Sequence, residues 1–204
     1  MLSKTNLPQD LSQLSQMKSL EYDPQSWHGA VVFLVVENSL CLIRRSDTMP
    51  THKGQIGFIG GHKTAAEVDP MTTALREFTE ESNLSHDLLE IKGLIHPVMT
   101  SKRRMIIPVV AEYKESKNHL LKNIKSNGEW DNLILVPLDI LEQDSYWSFA
   151  TLHAEKKHQM YFFPLMHEFC EYLNTYEKDC YVLWGATAKM IVNFFQKHML
   201  SDKK

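Results

Sequence analysis

The stretch Gly60–Asn83 reads GGHKTAAEVDPMTTALREFTEESN, and it decides the fold of this chain. Asp69 can cap a helix at its start, and Pro70 suits the first helical turn. At the other end Asn83 can close the helix, because asparagine tolerates the left-handed backbone conformation better than most residues. The stretch therefore predicts a glycine-rich turn followed by a helix over residues 70–82.

Two stripes of side chains run along this predicted helix. The apolar stripe has helical spacing and comprises Met71, Ala74, Leu75 and Phe78. The acidic stripe has the same spacing and comprises Glu77, Glu80 and Glu81. Like charges at this spacing repel, and Arg76 can neutralise only one of them, Glu80 at i+4. A glutamate-rich helix face is most often simply solvated, but oxygen ligands converging beside a glycine turn also suit a divalent cation such as Mg²⁺.

The composition is that of one globular domain with a short extension. The chain has 204 residues, of which 43% are hydrophobic and 23% are charged. We assign residues 1–26 to an N-terminal arm or short helix and residues 27–200 to a single domain. The formal net charge of −3 is unlike that of a protein that binds nucleic acid through bulk charge, so we expect a small-molecule partner.

The sequence shows no membrane span and no secretion signal. Its longest apolar run, Ala30–Val36, has seven residues, whereas a spanning helix needs about 20. The three cysteines form no Cys-x-x-Cys pair, which favours a reducing cytoplasm over a disulfide framework or a zinc site. We therefore expect a cytoplasmic protein without a membrane partner, as a monomer or a homodimer.

Strand and helix patterns mix along the chain, which predicts an α/β (α+β) fold. Strands are predicted over 30–36 (buried on both faces), 40–44, 90–98, 104–113 and 133–136, and further helices over 165–175 and 184–198. Glycine and proline make residues 47–63 a loop, and residues 114–131 are a polar excursion. This excursion and the segment 142–163 are candidates for a lid over the site.

The acidic helix and its glycine turn resemble the signature of the Nudix hydrolase superfamily. That signature runs glycine, five residues, glutamate, seven residues, then Arg-Glu-apolar-x-Glu-Glu-x-Gly-apolar. The matching positions here are Gly61, Glu67 and the run Arg76–Glu81. The chain departs from the signature twice, because eight residues separate Glu67 from Arg76 and Asn83 replaces the final glycine.

The flanking sequence is similar to the coenzyme A pyrophosphatase branch of that superfamily. The similar segments are Leu42–Ser46, His52–Gln55, Phe58–Gly61, Val136–Leu138 and Trp184–Ala188, together with Glu129. The longer loop after Glu67 is also typical of the branch. The chain departs from it at three places: Pro50 replaces an arginine, Ile59 replaces a proline, and Arg103-Arg104 replace a glycine-aromatic pair.

The resemblance implies a Nudix-type α/β/α sandwich with a mixed central sheet and a catalytic Mg²⁺ or Mn²⁺ site. The implied metal ligands are Glu77, Glu80, Glu81 and the Gly61 carbonyl. Arg76 then acts as an orienting ion-pair partner, and Glu67 binds the metal through water or steadies the loop. Enzymes of this kind often use a carboxylate from outside the signature, for which Glu129 is the first candidate and Glu112 the second.

The substrate-binding candidates implied by the flanks are Arg45, His52, Gln55, Arg103 and Arg104. Arginine forks match phosphate oxygens, although a basic run such as Lys102–Arg104 is often only a solvated hairpin tip. A loop hydrogen bond is as good a role for His52 as a substrate contact. That these five residues bind substrate is a hypothesis.

The function implied is metal-dependent hydrolysis of the pyrophosphate bond in a nucleoside diphosphate linked to another group. Coenzyme A or a derivative is the first candidate substrate, giving 4′-phosphopantetheine and 3′,5′-ADP. ADP-ribose, nucleotide sugars and nucleoside triphosphates are the alternatives, together with processing of RNA ends. A non-catalytic nucleotide-binding regulator of Nudix fold is the alternative class, and the intact glutamate stripe argues against it.

Overall fold

The computed structural model describes residues 26–152, 158–174 and 180–201. The arm predicted for residues 1–26 therefore lies outside the described residues except for its last position. Part of the segment 142–163 lies outside them as well. Within the described ranges, the helices are too short or too polar to cross a membrane.

The described ranges contain twelve strands and four α-helices. The strands are β1 (Gly29–Val36), β2 (Ser39–Arg45), β3 (Ile56–Gly57), β4 (Gly60–His62), β5 (Leu89–Leu94), β6 (Val98–Met99), β7 (Met105–Tyr113), β8 (Trp130–Pro137), β9 (Ser148–Leu152), β10 (His158–Met166), β11 (Glu171–Tyr172) and β12 (Cys180–Trp184). The helices are α1 (Pro70–Ser82), α2 (Lys117–Asn123), α3 (Leu138–Leu141) and α4 (Gly185–Ser201).

A mixed sheet with the strand order β11-β8-β2-β1-β7-β5 forms the centre of the molecule. Strands β1 and β7 are parallel, with Gly29 opposite Ile106, while β1 and β2 are antiparallel. The short strands β3, β4 and β6 extend this sheet by pairing with β2, β1 and β7. The predicted α/β class with a mixed central sheet is confirmed.

Strand β1 is covered on both faces, as its unbroken apolar sequence predicts. Val32 and Leu34 belong to the buried cluster that contains Phe78 of α1. Phe33 belongs to the other cluster, where its ring centroid lies 4.7 Å from that of Phe194 in α4. The sheet is therefore sandwiched between α1 and α4, and the helix predicted over 184–198 is confirmed as α4.

The helix predicted over residues 165–175 is wrong. Residues up to Met166 continue β10, which joins β9 and β12 in a separate three-stranded sheet, and β11 follows. Phe163 and Leu165 are fully buried opposite Leu183 and Tyr181 of β12. Period-two burial and pairing with a strand that is distant in sequence override the local helical pattern here.

Two segments predicted as irregular contain regular structure. The loop 47–63 includes β3 and β4, which pair with β2 and β1. The polar excursion 114–131 includes α2, whose Leu120 is fully buried, and the first residues of β8. The Lys125 amide donates to the Ser82 carbonyl at 2.9 Å, so this segment is attached to the end of α1.

Candidate active site

Helix α1 begins and ends where the sequence predicts. An Asp69 side-chain oxygen accepts a hydrogen bond from the Met71 amide at 2.9 Å, and Pro70 is the first helical residue. Asn83 has a left-handed φ of 56°, and its amide donates to the Thr79 carbonyl at 3.1 Å. Because both ends are fixed by local hydrogen bonds, the three glutamates of the acidic stripe have defined positions beside β4.

Strand β4 meets helix α1 at Gly61. An ideal Cβ on residue 61 would lie 2.3 Å from Oε1 of Glu77, which is closer than real Cβ atoms approach. Gly61 also pairs with Ala30 in the antiparallel β1–β4 ladder, so its backbone has little room to shift. The lack of a side chain at residue 61 thus allows the Glu77 carboxylate to lie directly against β4.

Arg76 is the centre of an ion-pair network around the acidic stripe. Its Nε lies 2.9 Å from Oε1 of Glu67, and its Nη2 lies 2.9 Å from Oε1 of Glu77. Its Nη1 lies 2.8 Å from Oε2 of Glu80, the predicted i+4 pair. The same guanidinium also donates to the His62 carbonyl at 3.0 Å. Arg76 therefore links the loop glutamate, the helix glutamates and the end of β4.

Glu67 is a buried carboxylate inside the loop that leads into α1. Its Oε2 accepts hydrogen bonds from the Thr64 amide and the Thr73 hydroxyl, both at 2.8 Å. Donation from Arg76 is the main reason why the pKa of Glu67 falls to about 2. Both oxygens are engaged by protein donors, which is the geometry of a residue that steadies the loop.

Glu81 is the most deeply buried acid of the stripe, with 1% of its surface exposed. Its Oε1 accepts from the Gly60 amide at 3.2 Å, while its Oε2 has no hydrogen-bond partner among the described residues. The Trp130 indole N–H donates to the Glu81 carbonyl at 2.8 Å and fixes this helical turn. Burial, assisted by the charges of Glu129 and Glu77, raises the pKa of Glu81 to about 8.

Glu129 reaches the stripe from the turn before β8. Its charge contributes to the raised pKa of both Glu77 and Glu81, after the larger effect of burial. Its Oε2 lies 3.8 Å from Nη2 of Arg45. The other candidate acid, Glu112, instead pairs with Lys92 at 3.0 Å. Tertiary structure thus brings Glu129, which lies outside the Nudix-like motif, to the acidic helix.

The acidic side chains around helix α1 do not by themselves form a complete metal site. Within the described ranges, no three acidic, histidine or cysteine side chains converge closely enough to hold an ion. Arg76 accounts for this arrangement, because it holds the carboxylates of Glu77 and Glu80. The donor chemistry nevertheless fits a hard cation, since the buried Oε2 of Glu81 has no hydrogen-bond partner among the described residues and would be an oxygen ligand for such an ion once its proton is displaced.

The five predicted substrate residues lie in four places. Arg45 faces Glu129, as described above, while Nδ1 of His52 and Oε1 of Gln55 are hydrogen-bonded to each other at 2.8 Å. Arg104 contacts Nε2 of His62 at the end of β4. Arg103 is exposed at the tip of the β6–β7 hairpin with a φ of 56°. The structure therefore brings Arg45 and Arg104 close to the motif and leaves Arg103 at its edge.

Sequence reasoning missed the supporting role of Arg44. Its side chain is buried, pairs with Asp47 at 2.8 Å and also pairs with Asp131. These contacts join β2, the following loop and the start of β8, which carries Glu129 at its approach. An arginine at the end of the apolar run Leu40–Ile43 was the available signal, because a charge in such a strand needs partners.

The sequence of this chain is similar to those of known proteins. A family model described as the NUDIX domain matches residues 26–157, more than half of the chain. An "Uncharacterized Nudix hydrolase NudL" of Photorhabdus laumondii is 27% identical, covering 83% of this chain and 84% of its own length. Its counterpart in Yersinia enterocolitica is 28% identical, covering 91% and 88% of the two chains.

The similarity to solved structures is weaker. The crystal structure of a MutT/nudix family protein from Enterococcus faecalis aligns with 97% of this chain and 71% of its own, at 15% identity and a TM-score of 0.48. The family assignment therefore rests on the family model, whose matched range includes the glycine turn, the acidic helix and Glu129. On that match, this chain belongs to the Nudix family of hydrolases.

Proposed function

We propose that this Nudix hydrolase cleaves the pyrophosphate bond of coenzyme A or a derivative, releasing 4′-phosphopantetheine and 3′,5′-ADP, with Mg²⁺ or Mn²⁺ as its cofactor. Nudix hydrolase activity follows from the family itself. The choice of substrate is supported by the segments on either side of the motif that resemble the coenzyme A pyrophosphatase branch. The main ones are Leu42–Ser46, His52–Gln55 and Trp184–Ala188.

The observation that carries the proposal is the state of Glu81. A carboxylate with 1% exposure and one oxygen without a partner is costly unless a proton or a cation compensates it. The charges of Glu129 and Glu77 raise its pKa further, so two more acids lie near enough to act on it. Such a concentration of oxygen ligands matches a divalent cation that is shared with substrate phosphates.

The other ligands are arranged around Glu81. We assign Glu77 and Glu80 to the metal together with the Gly61 carbonyl, as the Nudix resemblance implies. Arg76 holds both helix glutamates at hydrogen-bond distance and is their positioning residue. Each carboxylate contacts Arg76 through one oxygen, so its other oxygen would be the one available to an ion, while Arg76 also keeps Glu67 as its buried partner.

Glu129 is the proposed carboxylate from outside the motif. It is the acid of the β8 turn whose charge acts on both Glu77 and Glu81. Arg45 lies close enough to hold it in place or to share it with a substrate phosphate. We therefore assign Glu129 as a further ligand or as the base that takes the proton from the attacking water, in preference to Glu112.

Several residues of the chain have proposed roles in phosphoryl transfer. When bound, the ion would neutralise charge on the phosphates and lower the pKa of an attacking water. Arg45 and Arg104 supply guanidinium groups for phosphate oxygens, and His52 and Gln55 order the loop that faces them. Positioning and charge stabilisation of this kind account for most of the catalysis of phosphoryl transfer.

One of the three departures from the coenzyme A branch, at residue 59, lies in the core and does not affect substrate binding. Ile59, which replaces a proline, is 3% exposed and belongs to the core cluster that contains Phe78. Pro50 is exposed in the loop after β2, and Arg103 is exposed at the hairpin tip. Pro50 and the Arg103-Arg104 pair are therefore the positions at which substrate choice can differ from that branch.

The test is a panel of coenzyme A, ADP-ribose, a nucleotide sugar and a nucleoside triphosphate, each with Mg²⁺ or Mn²⁺, with products identified by mass. We expect 4′-phosphopantetheine from coenzyme A. Glu81→Gln should lower turnover by at least about 100-fold, the scale for loss of one preorganised charge-stabilising group. Glu168→Gln, an exposed glutamate outside the motif and outside the candidate lid segments, is the matched control and should keep full activity. Absence of turnover on the whole panel would contradict the proposal.

A further inference from the structure

A groove of about 400 Å³ opens beside the acidic helix, at the end of β4. Its lining comes from three separate parts of the chain: the approach to β1, the segment after Gly61, and the end of the β6–β7 hairpin. Trp27, His28, His62, Lys63 and Arg104 supply its larger side chains. This volume is in the range of small-molecule sites and suits part of a nucleotide-sized ligand.

The groove is basic although the protein is acidic overall. Among the described residues that line it, the charged ones are Lys63 and Arg104, and none is acidic. Arg104 carries its charge at any physiological pH and presents a planar fork that matches phosphate oxygens. Two cationic side chains on one groove wall favour an anionic ligand.

Both cations are held in place by aromatic side chains. Nζ of Lys63 lies 4.5 Å from the centroid of the Trp27 ring, a cation–π contact. Nη1 of Arg104 contacts Nε2 of His62, and an arginine can only donate there. The Trp27 indole N–H itself is buried and has no acceptor among the described residues.

Backbone hydrogen bonds preform the groove. The His28 amide donates to the Met105 carbonyl at 2.9 Å, and the Lys63 amide donates to the His28 carbonyl at 3.0 Å. The Met105 amide in turn donates to Nδ1 of His28 at 3.2 Å, so a neutral His28 carries its proton on Nε2. These bonds tie the three lining segments together, and little ordering is needed when a ligand binds.

The groove adjoins the proposed metal site. The His62 carbonyl accepts from Arg76, which also holds Glu77, and the neighbouring Gly61 lies against that same carboxylate. One residue of strand rise, about 3.3 Å, separates Gly61 from His62. A ligand whose diphosphate sits at the glutamates can therefore extend a second anionic group into the groove.

We propose that this groove binds a second phosphate group of the substrate, separate from the diphosphate that is cleaved. The inference rests on the proposed function for the position of the diphosphate. The second phosphate is either a monoester on the nucleoside sugar or the end of a polyphosphate chain. Arg104 and Lys63 are the residues that contact it and select substrates that carry it.

The test is calorimetric binding in the presence of EDTA, so that no metal-dependent turnover occurs. One ligand pair, adenosine 3′,5′-bisphosphate and AMP, differs by a sugar phosphate. The other pair, ATP and ADP, differs by a terminal phosphate. We expect the extra phosphate to tighten binding about tenfold or more in one pair, as charge-assisted hydrogen bonds imply. The pair that responds identifies the source of the phosphate.

Substitutions of groove residues test whether the groove causes the difference in affinity. Arg104→Ala and Lys63→Met should remove most of it, while Lys122→Ala removes an exposed positive charge of α2 that does not line the groove and should preserve it. The proposal is overturned if neither pair shows the difference, or if Arg104→Ala leaves it unchanged. Because binding is measured without turnover, a failure of the hydrolysis assay and a failure of this inference are distinguishable.

Discussion

The Glu77 carboxylate occupies the space that a side chain at residue 61 would need, with Oε1 2.3 Å from the position of an ideal Cβ. The glycine is thus required by a close approach between strand and helix. Because Arg76 holds the same carboxylate, Glu77 cannot move aside without losing an ion pair.

We expect Gly61→Ala to displace the Glu77 carboxylate. Overpacking of this kind costs about 1–3 kcal/mol of unfolding free energy, and we expect a much larger relative loss of turnover and of Mg²⁺ affinity. Urea unfolding and metal titration measure the two effects. Gly57→Ala is the control, because a Cβ there would meet only the Thr187 hydroxyl at 4.0 Å. Equal metal affinity in both variants would contradict the role given to Gly61.

Metal binding should be linked to the proton on Glu81. Its pKa is raised to about 8 in the metal-free protein, so its burial favours folding at low pH, and this contribution is lost as the pH rises from about 4.5 towards 8. A cation replaces the proton, and we therefore expect Mg²⁺ to raise Tm more at pH 8 than at pH 6.

Thermal unfolding with and without Mg²⁺ measures this linkage. Glu81→Gln removes the titrating group, so its metal-free stability should depend less on pH over the same range. The Mg²⁺-induced shift in Tm should also shrink in that variant. A shift in the wild-type protein that is the same at both pH values would argue against a metal beside Glu81.

The Glu67–Arg76 pair should control stability in acid. The pKa of Glu67 is lowered to about 2, so the pair stabilises the fold fully above pH about 4.5 and is lost as the pH falls towards 2. Arg76→Gln should cost about 2 kcal/mol at neutral pH, the scale of a hydrogen bond to a charged group, and should flatten this acid dependence.

Chemical unfolding at a series of pH values tests that prediction. Lys117→Gln is a suitable comparison, because it breaks an ion pair with Glu171, whose side chain is 55% exposed. Exposed pairs contribute about 1 kcal/mol or less. If the two substitutions were equally mild, Arg76 would not be the centre of the network.

Asn83 should tolerate glycine better than alanine. Its φ of 56° is left-handed, a conformation that costs most residues about 1–2 kcal/mol but costs glycine little. We expect Asn83→Gly to leave the unfolding free energy nearly unchanged and Asn83→Ala to lower it by about 1 kcal/mol. Urea titration of both variants measures the difference, and equal stabilities would show that another contact closes the helix.

The failures of the sequence-based prediction lie where distant segments meet. The helix predicted over 165–175 is wrong because Leu165 pairs with Tyr181 across β10 and β12, a contact that local spacing does not contain. Residues 114–131 look like a polar excursion, yet Leu120 is fully buried among residues of other elements. Non-local pairing decided the conformation in both segments.

The sequence by itself determined the capped helix α1, its acidic stripe and the strand that is buried on both faces. Each of these depends on residues a few positions apart, so propensity, capping and periodicity suffice to predict them. Only the tertiary structure decided that Glu129 acts on Glu81, that Arg76 pairs with Glu67 of the preceding loop, and that Trp27, Lys63 and Arg104 line one groove. Those relations depend on burial and on the close approach of charges from separate elements, which no local pattern specifies.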